Sequence, residues 1–133
     1  MSGRNKQLAM RPPTVNDWTE IDLPRPPSVN RFMGKLGNRS PAFQSWMSEA
    51  DFQFWEARKN RGALARIPGH FEVEFIFNPS IQRKADLDNC IKPLLDWMQR
   101  VELIENDKFC DQILARWGGV PYGVRIRVRG VRP

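Results

Sequence analysis

Asp86 and Asp88 stand two residues apart, Lys92 follows four residues after Asp88, and a further carboxylate, Asp107, lies beyond. Residue types of this kind suit metal-assisted attack on a phosphodiester. A hard divalent cation takes carboxylate oxygens and water, and a lysine neutralises charge that builds on a phosphate. If Asp86 and Asp88 occupy an extended segment, the period of two sends both carboxylates to one side, about 6 to 7 Å apart along the backbone. In a helix their directions would differ by roughly 200 degrees, and sharing one cation would be awkward. The chemistry therefore requires a strand-to-helix transition at this motif. Lys92 lies on the same helical side as Asp88 if a helix starts there, and could pair with it or approach the scissile phosphate. A helix of about twelve residues spans some 18 Å, so Asp107 returns to Asp86 only if the chain folds back afterwards. The same residues have a second reading. Asp88 or Asn89 caps a helix, Asp86 is solvated, Lys92 makes an exposed i,i+4 pair, and Asp107 with Lys108 marks a turn before a strand.

Hydrophobic periodicity supplies the elements that must position these groups. Thr19 to Leu23 alternates polar with apolar and predicts a first strand, ended by Pro24 and Pro26-Pro27. Ser40-Pro41 predicts a helix N-cap followed by proline at the first helical position, and Phe43, Trp46, Met47, Ala50 and Phe54 form an apolar stripe to about Lys59. Phe71, Val73, Phe75 and Phe77 alternate with His70, Glu72, Glu74 and Ile76, the pattern of a strand with one well-buried face. A second helix is expected from Asp88 to about Arg100, with Ile91, Leu94, Leu95, Met98 and Val101 on one broad face. Pro93 conflicts with a start at Asp88, because it removes a backbone bond beyond the free first turn. A kink or a later start must follow. Phe109 to Trp117 and Tyr122 to Gly130 are the last two strand candidates, the latter alternating Val124, Ile126 and Val128 with Arg125, Arg127 and Arg129. Such an arginine ladder either tracks phosphates or keeps a sheet face wet. The expected fold is a mixed α/β (α+β) domain with β, α, β, α, β, β order and two main helices.

At 133 residues the chain has room for one compact domain, read as 18–133 after a polar, basic arm at 1–17. The formal charge of +6 favours an anionic partner, without distinguishing DNA, RNA or an acidic membrane surface. Cys90 and Cys110 lack further Cys or His ligands at zinc spacing, and His70 is the only histidine. That usage argues against a zinc site and fits a reducing cytosol; a Cys90–Cys110 disulfide is the other option. His70 reads as structural or exposed. No long apolar run or signal-peptide core is visible, so a cytoplasmic protein is expected.

The chain resembles the RusA-type Holliday-junction resolvases, small nucleases of phages, prophages and bacteria. Three features carry the resemblance over about residues 21–129: Pro26-Pro27-Ser28-Val29-Asn30, which is similar to the family's loop after strand one; Asp86-Leu87-Asp88-Asn89-Cys90-Ile91-Lys92, which matches its D-L-D-N-x-x-K core; and Asp107, at the place of its third acidic residue. Asn106 departs from the pattern, where a second aspartate is frequent. The resemblance implies a homodimer whose paired sites cut opposed strands of a four-way DNA junction in recombination or repair, with Mg²⁺ or Mn²⁺ held by Asp86, Asp88 and Asp107 and with Lys92 in catalysis.

Without a cation the three aspartates would repel one another, and Mg²⁺ would reverse that penalty. Arg31, Lys35, Arg39, Arg83 and Lys84 are expected to contact phosphates, and Asn30 to shape the loop near the metal. Two other functions fit the same residues: a nonenzymatic branched-DNA-binding protein whose aspartates are caps, and a metal-dependent nuclease for flaps, forks or RNA.

Overall fold

The computed structural model describes residues 18–27, 40–61, 64–79, 87–121 and 123–131. Within them the fold is mixed α+β, with a four-stranded mixed sheet and two helices. The strands are β1 (Thr19–Leu23), β2 (Phe71–Phe77), β3 (Cys110–Trp117) and β4 (Val124–Gly130); the helices are α1 (Pro41–Arg61) and α2 (Ile91–Arg100). Spatial order is β1-β4-β2-β3. β4 runs antiparallel to both neighbours, whereas β2 and β3 are parallel and joined by the α2 crossover that parallel pairing demands.

Register explains the layers. Ile21 pairs with Ile126 and Leu23 with Val124, while Val73 and Phe75 face Val128 and Ile126 across β4. These side chains are buried in one core with Phe43, Trp46, Ala50 and Phe54 of α1 and Leu94, Leu95, Trp97 and Met98 of α2. Trp97 is the centre of an aromatic cluster, edge-on to Trp46 and Phe54 at centroid distances of 6.0 and 5.6 Å. Its indole N–H donates to Asp51 of α1 at 2.9 Å, and Asp51 also accepts from Arg100 at 2.7 Å, so the two helices are clamped where their apolar faces meet.

The opposite sheet face carries the alternate residues, and here the arginine ladder finds partners. Arg125 pairs with Asp22 at 2.8 Å, Arg127 with Glu20 at 2.8 Å and with Glu74 at 2.7 Å, and Arg129 with Glu72. Arg116 of β3 adds a second pair to Glu74 at 3.0 Å. Trp18 lies against Arg127 and Arg129, 4.5 and 4.4 Å from ring centroid to guanidinium carbon. Burial alone would raise the Glu74 carboxyl, but hydrogen bonds from Arg127 and Arg116, with their charges, hold it below its ordinary value. The guanidiniums of this partly exposed face are committed to an ion-pair lattice that spans all four strands.

Most elements lie where periodicity puts them. β3 begins one residue later than expected and α1 runs two residues further; the expected start of the last strand at Tyr122 lies outside the described residues, and β4 begins at Val124. The substantive difference is at α2. Leu87–Cys90 forms a 3₁₀ turn, and the α-helix starts at Ile91. Pro93 is thereby the third helical residue, within the first turn, where its missing N–H leaves no bond unmade. Cys90 occupies the N-cap with no side-chain cap, so neither Asp88 nor Asn89 caps this helix.

α2 ends in a Schellman turn: Leu103 N–H donates to Met98 O at 2.9 Å and Glu102 N–H to Gln99 O at 3.1 Å, while Met98 and Leu103 are both buried. Glu102 has φ 60°, the left-handed region usually given to glycine. Its side chain is exposed, so Glu102→Gly is expected to raise stability by roughly 0.5–1 kcal/mol, measured by urea or thermal unfolding. An unchanged or lower midpoint would mean that this turn is not strained.

Candidate functional site

The Schellman turn sends the chain back along α2. Lys92, Asp96 and Gln99 lie on one helical face, being four and seven residues apart. Onto this face comes a second 3₁₀ turn, Asp107–Phe109, whose N-cap Asn106 accepts the Lys108 N–H at 2.9 Å. Asp107 N–H donates to the Gln99 side chain at 3.0 Å, which seats the turn on the helix. Lys92 Nζ then lies 3.3 Å from Asp107 Oδ2 and 2.8 Å from Asp96 Oδ1. Two residues fifteen positions apart are thus brought into contact. Hydrogen bonding to Asp96, and then to Asp107, holds the Lys92 ammonium above its ordinary pKa against partial desolvation.

Asp88 is exposed on the first 3₁₀ turn, which packs against both α2 and β3. That turn is fixed by Cys90, whose side chain is buried with Sγ 4.0 Å from Pro26 O. Burial pushes the Cys90 thiol up, opposed by a hydrogen bond and the charge of Arg25. The contact joins the start of the proline-rich loop after β1 to the turn carrying Asp88. Trp46 ties the same loop to α1 by donating from its indole N–H to Pro24 O at 2.7 Å.

Of the residues expected at the site, Lys92 and Asp107 meet directly, whereas Asp88 lies in the 3₁₀ turn that leads into α2 and not in an extended segment. Lys92 takes Asp96 and Asp107 as its ion-pair partners, where pairing with Asp88 was one expectation. Asp86 lies outside the described residues, as do Asn30, Arg31, Lys35, Arg39, Arg83 and Lys84. Among the described residues no group of three acidic, His or Cys side chains is arranged to hold a metal ion. Carboxylate oxygens of Asp96 and Asp107 converge instead on the ammonium of Lys92, as an ion-pair cluster.

Asp96 and Gln99 were not anticipated as parts of this cluster. Their signal was the i, i+4, i+7 spacing from Lys92. Lys108, exposed next to Asp107, has its ammonium 5.3 Å from the Phe109 ring centroid. Both cysteines are free thiols. His70 pairs through Nδ1 with Asp111 at 2.8 Å, at the beginning of β2 and β3. No helix among the described residues is long and apolar enough to cross a membrane. No family model matches the chain, and no curated protein matches it.

Proposed function

We propose that this chain is a divalent-metal-dependent endodeoxyribonuclease that resolves four-way DNA junctions, acting as a homodimer that nicks two opposed strands. The observation that supports this most directly is the 3.3 Å approach of Lys92 to Asp107, two residues of the motif set that stand fifteen positions apart in sequence. The contact of Pro26 with Cys90 adds to it, because the proline that opens the loop after β1 then lies beside the turn that carries Asp88. A net charge of +6 suits a polyanionic substrate.

In this reading Asp86, Asp88 and Asp107 hold Mg²⁺ or Mn²⁺. The bound ion supplies Lewis-acid stabilisation of the phosphate and makes water a stronger nucleophile. The reaction forms one P–O bond to a water oxygen and breaks one P–O bond to a sugar oxygen, which leaves with a proton. Lys92 places a positive charge beside the phosphate as negative charge accumulates there, or donates that proton. Phosphate contacts from Arg31, Lys35, Arg39, Arg83 and Lys84 set the register of the duplex arms, and Asn30 shapes the loop beside the ion. Two-fold symmetry in the dimer yields symmetric nicks.

The test is a panel of a fixed four-way junction, plain duplex, fork, flap and RNA, each with Mg²⁺, Mn²⁺ or EDTA. Paired nicks in the junction, faster than in any other substrate and absent in EDTA, are expected. Binding without scission in every metal condition would identify a nonenzymatic DNA-binding protein instead. Equal or faster cutting of flaps, forks or RNA would overturn the junction assignment.

A further inference from the structure

Lys92 has two carboxylate partners, and they differ in setting. Asp96 is the nearer, at 2.8 Å, and its side chain is 21% exposed; Asp107 is at 3.3 Å and 32% exposed. Asp96 sits one turn along α2 between Leu95 and Trp97, both buried, on a helix clamped to α1 through Asp51. Its position is therefore fixed by the core. Asp107 instead belongs to a short turn held by Asn106 and Gln99.

A lysine side chain has four rotatable bonds and, at 54% exposure, little packing to confine it here. If a divalent cation occupies Asp107, the ammonium beside it is repelled by a double positive charge. With Asp107 as its sole partner, Lys92 would swing into solvent and its charge would leave the reacting phosphate. Asp96 supplies the second hold.

We propose that Asp96 is a positioning residue that keeps Lys92 beside the reacting phosphate when the divalent cation takes Asp107. This rests on the nuclease reading above and deepens it. An ordinary exposed i,i+4 pair, the plainer account of the same contact, would contribute little to stability and nothing to turnover.

Asp96→Asn preserves shape and removes the charge. It is expected to lower kcat for junction cleavage about tenfold, on the order of what ordering one long side chain is worth, with KM unchanged. Asp96→Glu should recover part of the loss. In a Lys92→Ala background the same substitution should cost nothing further. A readout independent of turnover is NMR relaxation at the Lys92 side-chain Cε, recorded in Mg²⁺ without DNA, where Asp96→Asn should increase mobility. Unchanged Lys92 ordering, or a kcat loss that persists fully in the Lys92→Ala background, overturns the proposal. A wild-type protein that cuts no substrate sinks the nuclease reading instead, and the relaxation measurement still decides whether Asp96 holds Lys92.

Discussion

Asp107→Asn is expected to reduce metal-dependent junction cleavage by about 10²- to 10³-fold, the scale on which removal of a charge-stabilising group acts. The substitution keeps the side chain's size and leaves the backbone bond from Asp107 N–H to Gln99 intact. What it removes from the folded protein is one partly exposed ion pair with Lys92, worth at most about 1 kcal/mol. Thermal unfolding should therefore barely change, and junction binding should persist while scission fails. The contrast with Lys92→Ala is informative. That change also lowers cleavage strongly, yet it frees Asp107 from its present cation, so divalent-ion affinity should rise or hold, whereas Asp107→Asn should lower it. Full cleavage by Asp107→Asn, in a folded protein, would remove residue 107 from the chemistry.

The largest effect on stability is expected at Gly123, far in sequence from the acidic residues. Its φ is +56°, and a Cβ there would drive into Leu23 O and approach Arg25 N and Pro24 Cα at 2.9 Å. Because the obstacle is backbone, no side-chain rotation relieves it. Gly123→Ala should cost at least about 3 kcal/mol, combining left-handed strain with overpacking, and lower the melting temperature on the order of 10 °C. Gly123 O also accepts from Asn78 N–H at 2.9 Å, so the position links the end of β1, the end of β2 and the start of β4. Displacing Leu23–Arg25 would disturb the loop that continues to Pro26 and Cys90, so cleavage should fall with stability. An alanine variant of wild-type stability would show that this close approach is not a constraint.

Local patterns carried much of the fold. Alternation in residues 19–23 and 71–77 and the stripe from Phe43 to Phe54 mark elements because each side chain's burial follows from its own period. Pro93 excludes a regular helix from Asp88 and leaves either a kink or a later start; the 3₁₀ turn at 87–90, with the helix beginning at Ile91, resolves this as the later start. The return of Asp107 was conditional on a reversal the sequence does not advertise, since the left-handed position of the turn holds Glu102 where glycine would have been the signal. The partners of the arginine ladder were invisible for another reason. Pairing Arg127 with both Glu20 and Glu74 requires knowing that β4 lies between β1 and β2, a contact spanning more than a hundred residues for Glu20. Asp96 is legible in its i+4 spacing from Lys92, but spacing alone does not tell a positioning residue from an ordinary exposed helix pair.

The lattice on the outer sheet face also governs how the molecule meets charged surroundings. Arg116, Arg125, Arg127 and Arg129 stand against Glu20, Asp22, Glu72 and Glu74, so these eight charges cancel and the four guanidiniums contribute nothing to the net charge. Added salt screens charges that stand farther apart than about a Debye length, roughly 10 Å at 0.1 M, and so leaves these short-range pairs holding the sheet.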